Sequence, residues 1–241
     1  MTTTIKVRSS AEKLNLPTRG SAFWSGNLGL TLIMISLVIM IFVVTPLQEA
    51  GVPGRFVVDL VILALMVSGV LTVDRNRATG IPVLVFLALT AVFLAAGRLY
   101  PTPGLHQFGS VLTTITLLLY FRIVILVLFR SGPITWSRVH GGICAYLLLG
   151  LAWASAFQVM EQAAPGSFRF VTPPADFDQL ISKMIYYSFS TLTTLGCDVT
   201  PVSPIARSLT IAEATTGSLF PAILIAALVA LAIQEQTRAG E

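Results

Sequence analysis

The stretch that decides the fold is Tyr186–Pro201, which reads Tyr-Tyr-Ser-Phe-Ser-Thr-Leu-Thr-Thr-Leu-Gly-Cys-Asp-Val-Thr-Pro. It is short and amphipathic, and a long apolar segment lies on either side of it. The helix that leads into it has its body at about Gln179–Leu192, and Asp176 or Asp178 can cap its N-terminus. A helix of this length is too short to cross a bilayer, which takes about 20 residues. The stretch therefore predicts a re-entrant helix followed by a loop.

The composition of the chain indicates a membrane protein. Of its 241 residues, 55% are hydrophobic and only 11% are charged, whereas soluble domains carry about 25% charged residues. We therefore expect most of the surface to face lipid. The net charge of +4 is modest, and no basic cluster is interleaved with aromatic residues, so we expect no nucleic-acid partner.

The apolar segments predict an all-α polytopic membrane protein with six transmembrane helices, and with the re-entrant helix and its loop between helices five and six. Each segment approaches or exceeds the about 20 residues that cross a hydrocarbon core, and the connections hold the prolines and glycines. The segments are Leu28–Val44, Phe56–Val73, Ile81–Ala96, Phe108–Phe129, Gly141–Met160 and Pro204–Ile233.

The orientation follows from the basic residues of the connections. If the N-terminus lies inside, the inner side holds more Lys and Arg than the outer side, as the positive-inside rule requires. We therefore predict a multi-pass protein of the cell membrane with both termini in the cytoplasm. The predicted organisation is a cytoplasmic tail (1–27), a four-helix membrane region (28–138), a pore module (139–233) and a second cytoplasmic tail (234–241).

Three ionisable residues fall within predicted spans, where such groups are costly and are functional candidates. Asp59 is expected to pair with a nearby arginine, and Arg122 can extend its side chain toward the cytoplasm. Arg122 has no basic neighbours at a spacing of three residues, which argues against a voltage sensor. Glu213 either braces the loop from behind or hydrogen-bonds to hydroxyl groups of the re-entrant helix, and the sequence does not separate these alternatives.

Catalytic and metal-binding patterns are missing from the sequence, and we predict no enzyme, no cofactor and no resident metal. Cys144 and Cys197 are predicted to lie toward opposite membrane faces, which disfavours a disulfide because the Cα atoms must come within about 7 Å. The two histidines, His106 and His140, are assigned to loops.

The loop after the re-entrant helix has the chemistry of an ion filter. Thr193, Thr194, Leu195 and Gly196 can supply carbonyl and hydroxyl oxygens, which suit a cation that sheds its hydration shell. The negative end of the helix dipole favours a cation at the same place. Irregular backbone at membrane depth is tolerated where it lines water or is buried in protein. The alternative is a re-entrant loop without an ion path.

The segment Tyr186–Ala230 resembles the pore module of tetrameric potassium channels, above all short prokaryotic members whose filter continues as Asp-Val-Thr-Pro-Val-Ser-Pro and then Ala-Arg-Ser-Leu. In the resemblance, Arg207 matches a basic residue at the start of the inner helix, and Gly217 matches a hinge glycine. The outer-helix role falls to Gly141–Met160. The resemblance implies a homotetramer in the lipid bilayer, K⁺ as the permeant ion and no soluble partner.

The filter departs from the family pattern at one place. Cys197 alone stands between Gly196 and Asp198 where the family has Tyr-Gly, so one residue and one glycine are missing. Filter carbonyls point inward because alternate residues take left-handed conformations, which glycine adopts at low cost. The outermost potassium site should therefore be lost or distorted, with Asp198 as a carboxylate at the outer mouth. A weakly selective cation channel and a non-conducting or regulatory subunit remain as alternatives to a potassium channel.

The last apolar segment holds a predicted gating hinge at Gly217 and Pro221. Pro221 has no amide proton to bond to the Gly217 carbonyl, and its ring crowds that carbonyl. The two residues therefore mark one flexible joint, unless the kink is static.

Overall fold

The computed structural model describes residues 31–50, 77–100, 102–129 and 136–239, and almost all of them are helical. The first helix, α1, covers residues 31–49 and includes a π-helical turn at Met40–Val44. Five further helices and one pair of short strands follow in chain order: α2 (Arg77–Leu99), α3 (Pro103–Leu128), α4 (Trp136–Ala163), β1 (Phe168–Arg169), α5 (Phe177–Leu192), β2 (Thr200–Pro201) and α6 (Pro204–Ala239).

Four of the described helices are long and apolar enough to cross a membrane, and they coincide with the first, fourth, fifth and sixth predicted spans. The third predicted span lies in α2, where the apolar stretch is the shorter Ala88–Gly97. The second, Phe56–Val73, lies outside the described residues together with Asp59, the whole N-terminal tail (1–27) and the last two residues of the C-terminal tail (240–241). The four candidate spans are Thr31–Gln48, Gly104–Leu126, Arg138–Ala163 and Pro204–Ala230.

The assignment of the two histidines to loops is wrong. His106 lies in the first turn of α3 and His140 lies near the start of α4, because each helix begins five residues before the predicted span. For α3 the reason is Pro103, one of the prolines that the prediction placed in a connection between spans. Proline fits the first position of a helix because its fixed φ is helical and its missing amide would have had no partner there.

Helix α4 is the central element of the fold. Of its candidate span, 61% is buried within the chain, against 11% for α6. One apolar core joins α4 to α1, α3 and α5, and its buried members include Leu37, Val124, Leu148 and Ile185. A second core packs Phe157 of α4 against Phe168, Met184, Tyr187, Val199 and Ala206.

The C-terminal half of α1 is hydrogen-bonded to α5. Pro46 cannot donate a backbone hydrogen bond, and its ring crowds the carbonyl one turn earlier, which accounts for the wider π-helical turn there. In that turn the amide and the hydroxyl of Thr45 both donate to the carbonyl of Met40, the hydroxyl at 2.9 Å. The Thr45 carbonyl in turn accepts from the fully buried Ser182 hydroxyl of α5, also at 2.9 Å. Helix α1 thus contacts α5 through a hydrogen bond as well as through the apolar core.

Helix α5 begins where a carboxylate caps it. It starts at Phe177, and the side chain of Asp176 accepts from the Gln179 amide at 2.8 Å. The Gln179 side-chain oxygen in turn accepts from the Ala175 amide at 2.9 Å. Two reciprocal hydrogen bonds therefore fix the backbone at the start of the helix. Of the two candidates, Asp176 is therefore the cap, and Asp178 lies in the first turn.

The chain on the far side of the loop is fixed by the two short strands. β1 and β2 pair antiparallel, with Phe168 opposite Pro201 and Arg169 opposite Thr200. The Val202 amide extends the pairing to the Ser167 carbonyl at 2.8 Å. Residues 193–199 therefore run between two anchored ends, the last turn of α5 and strand β2.

Candidate functional site

The backbone amides that follow α5 turn back toward the helix end. The amides of residues 193–196 all donate to carbonyls in the last turn of α5, which would otherwise lack partners. The bonds are Thr193 to Phe189 at 3.0 Å, Thr194 to Thr191 at 3.1 Å, Leu195 to Ser190 at 2.8 Å and Gly196 to Ser190 at 3.3 Å.

The carbonyl oxygens of the same four residues have no hydrogen-bond donor within the part of the chain that the structure describes. All four residues are exposed in the single chain, and they lie at the C-terminal, negative end of the α5 dipole. The Thr193 hydroxyl donates to the Phe189 carbonyl at 2.7 Å, which leaves its oxygen lone pairs available. The loop thus presents a run of acceptors without internal donors.

The backbone of the loop adopts the left-handed conformation at two alternate positions. Thr194 has φ +60° and Gly196 has φ +79°, both in the left-handed region. Gly196 adopts this conformation at little cost, whereas for the β-branched Thr194 it is a genuine outlier. Among the described residues Thr194 is the non-glycine residue with positive φ, so the alternation does not extend to Cys197.

Cys197 lies half-buried beyond the last left-handed residue. Its thiol contacts the Val199 carbonyl at 3.8 Å, and partial burial raises the pKa of the thiol, so the side chain stays protonated near neutral pH. Cys197 and the buried Cys144 do not form a disulfide. Asp198, the next residue, is exposed.

The carboxyl group of Glu213 lies behind the loop and is fully buried. Its Oε1 atom lies 2.5 Å from the Ser188 hydroxyl of α5, and the same hydroxyl lies 2.7 Å from the Gly150 carbonyl of α4. Of the two arrangements expected for Glu213, the structure contains the hydrogen bond to a hydroxyl of the short helix. Neither Ser188 nor Gly150 was predicted as a partner of Glu213, because nothing in the spacing of the α4 glycines distinguishes Gly150.

Two glycines let α5 approach its neighbours closely. A β-carbon at Gly150 would lie 2.6 Å from the Phe189 ring, and one at Gly217 would lie 2.5 Å from the Leu192 carbonyl oxygen. Gly217, a predicted hinge residue, therefore packs against the last residue of α5. Pro221 lies inside α6.

The comparison with known families agrees with this geometry. The family model described as "Ion channel" matches residues 145–234. The matched segment is therefore similar to the pore-loop family of ion channels. No curated protein and no solved structure matches the chain.

The ion channel segment contains every predicted filter and hinge residue. It begins within α4, includes all of α5 and the loop, and ends within α6. With the four candidate spans, it makes the chain a multi-pass membrane protein. Arg207, the basic residue near the start of α6, donates to the Pro201 carbonyl at 3.3 Å and is exposed. Arg122 is exposed on α3, outside the ion channel segment.

The described residues hold no group of three or more His, Cys, Asp or Glu side chains that could bind a metal ion. The acceptors that the ion channel segment exposes just after α5 are instead the backbone carbonyls of residues 193–196 and the hydroxyls of Thr193 and Thr194. Such groups can replace part of the hydration shell of an ion.

Proposed function

We propose that the chain conducts cations passively through a homotetrameric pore, with Thr193, Thr194, Leu195, Gly196 and Cys197 lining the filter and Asp198 at the outer mouth. The observation that carries the proposal is the run of carbonyl oxygens at 193–196, which has no donor among the described residues and lies within an ion channel segment. K⁺ is the proposed permeant ion because the sequence resembles potassium channels.

The re-entrant position of α5 is part of the proposal. The helix has 16 residues, or about 24 Å at 1.5 Å per residue, against a hydrocarbon core of about 30 Å. A helix of this length between two candidate spans is suited to enter and leave on one side. Its negative end then points at the bilayer centre, where it favours a cation.

We propose a tetramer because one copy of the chain cannot surround an ion with carbonyl oxygens. One chain provides one strand of carbonyls, which is a quarter of a ring around a cation in a pore of four copies. Helix α6 is 11% buried over its candidate span and exposes Ile211, Leu219 and Ile223. Neighbouring copies and lipid are the partners that we propose for this face, in a cell membrane with six spans per chain and both termini in the cytoplasm.

The selectivity of the pore depends on the missing residue beside Cys197. The left-handed positions are Thr194 and Gly196, and the chain lacks the second glycine that would carry the alternation further. One carbonyl ring fewer favours weaker discrimination between K⁺ and Na⁺. This observation also favours the second candidate function, a non-conducting or regulatory subunit that keeps the pore architecture.

The gate that we propose is the joint at Gly217 and Pro221. Glu213, one turn before Gly217 in α6, supports the filter through Ser188. Gly217 also packs closely against Leu192. Movement at the joint would therefore shift the end of α5.

Ion flux from proteoliposomes tests the function. Potassium flux well above sodium flux supports a selective channel, and equal fluxes support a weakly selective one. Absence of both from protein that is folded and tetrameric contradicts conduction. If the protein does not conduct, insertion of a glycine after Cys197 tests whether the short filter is the cause. A variant with the inserted glycine that still does not conduct excludes the short filter as the cause.

A further inference from the structure

We propose that Glu213 is held as a neutral carboxylic acid that donates its proton to Ser188, and that this bond fixes α6 to α5 and α4 behind the loop. Glu213 is then a positioning residue whose proton is part of the structure. The effect on conduction rests on the proposed function, whereas the proton itself can be detected without any conduction.

A count of protons supports the neutral acid. The Ser188 hydroxyl oxygen has two oxygen neighbours, the Gly150 carbonyl at 2.7 Å and Glu213 Oε1 at 2.5 Å. A serine has one hydroxyl proton, and a carbonyl and a carboxylate are both acceptors. An ionised Glu213 would therefore leave one of the two contacts without a proton. A protonated Glu213 donates to Ser188, which donates to Gly150, and both contacts are hydrogen bonds.

The burial of the carboxyl group agrees with this count. Glu213 is 0% exposed, and its Oε2 atom has no hydrogen-bond partner among the described residues. A buried carboxylate with so few donors is far more costly than a buried neutral acid. Because the group is enclosed by its own chain, the side chains of a neighbouring copy cannot reach it to supply a partner.

The titratable groups around Glu213 provide no positive charge to balance a carboxylate. In the described part of the chain they are Tyr146 on α4, Tyr187 on α5 and Cys197 in the loop. Phenols and thiols are neutral or negative in every protonation state. Loss of the Glu213 proton would therefore place a negative charge against acceptor oxygens and other potential anions.

The position of the bond connects it to the filter. Ser188 lies one turn before Leu192, the last residue of α5, and Glu213 lies one turn before Gly217, which packs on Leu192. The Gly150 carbonyl is within reach because Gly150 has no side chain to hold the Phe189 ring away. A glutamine at 213 can replace the acid, since its amide can donate to Ser188 while Ser188 donates to Gly150.

Infrared spectroscopy of the purified protein detects the proton directly. At neutral pH we expect the carbonyl stretching band of a protonated carboxylic acid, and we expect the band to disappear in Glu213→Gln. In Ser188→Ala the acid loses its acceptor, and the band should shift. Glu161→Gln is the matched control, because both Glu161 oxygens accept backbone amides, at 2.8 and 2.9 Å; it should remove a carboxylate band and leave the acid band unchanged.

Three results would overturn the proposal. They are loss of a carboxylate band instead of the acid band in Glu213→Gln, an unshifted acid band in Ser188→Ala, and a Glu213→Gln protein that does not fold. In flux assays we expect the flux of the unchanged chain to decline at alkaline pH as Glu213 loses its proton, and we expect this decline to be smaller in Glu213→Gln. If no variant conducts while the infrared result holds, the proposed function fails and the neutral acid stands.

Discussion

Gly217 of α6 lies so close to Leu192 of α5 that a β-carbon at position 217 would be 2.5 Å from the Leu192 carbonyl oxygen and 3.0 Å from its Cα atom. These are backbone atoms at the end of α5, and they cannot rotate away as a flexible side chain can. The glycine that the sequence analysis assigned to a hinge therefore also fixes how closely the two helices approach.

Gly217→Ala should separate α5 from α6. We expect a loss of about 1–3 kcal/mol in the free energy of unfolding, the usual cost of overpacking, measured by thermal unfolding in detergent. Gly109→Ala is the matched control, because a β-carbon there meets nothing within 4 Å in α3. That control should be neutral, or stabilising by up to ~1 kcal/mol from helix propensity. Equal unfolding temperatures for the two variants would contradict the close contact.

Pro221→Ala tests the joint separately from the packing. Alanine restores an amide that can bond to the Gly217 carbonyl, so α6 becomes stiffer and the unfolding temperature should rise. If the joint opens the inner mouth, ion flux should change at the same time. A more stable protein with unchanged flux would mean that Pro221 has no part in gating.

Ser182→Ala should weaken the link between α1 and α5. The Ser182 hydroxyl is buried and donates to the Thr45 carbonyl, and loss of such a bond costs about 1 kcal/mol. Ser208→Ala is the control, since the exposed Ser208 donates within its own helix to Pro204. Both variants are compared by thermal unfolding. An effect no larger than that of the control would count against the link.

Chemical modification of Cys197 should become faster as the pH rises. The thiolate is the reactive form, and partial burial raises the pKa of this thiol, so little thiolate is present at neutral pH. Labelling is followed by mass spectrometry. Cys144 is fully buried and should stay unlabelled in the folded protein. A labelling rate at Cys197 that is flat across neutral and alkaline pH would contradict a raised pKa.

The helices were predictable from the sequence because each depends on local properties. Length and hydropathy are enough for the four candidate spans. A carboxylate before an amphipathic run is enough to place the start of α5 near Asp176 or Asp178, and the structure then shows Asp176 as the cap. The histidines were misassigned because Pro103 fits a helix start as well as a turn. The local sequence has no means of distinguishing the two.

The contacts behind the loop were not predictable, because they join residues far apart in the chain. Ser182 and Thr45 are 137 positions apart, and Ser188 and Gly150 are 38 positions apart. No periodicity within one helix reports which hydroxyl meets which carbonyl on another. The left-handed conformation of Thr194 was not predictable either, because β-branched residues disfavour it. The anchored ends of the loop, which hold Thr194 in this conformation, are set by contacts distant in sequence.

The most direct test of the central claim is ion flux across the loop itself. Proteoliposomes that contain the chain are loaded with K⁺, and efflux is measured before and after a membrane-impermeant thiol reagent is added at alkaline pH. We predict that the reagent reduces efflux in the unchanged chain and not in Cys197→Ser. If efflux is unchanged although Cys197 is fully labelled, or if Cys197→Ser is blocked equally, the loop does not line the ion path.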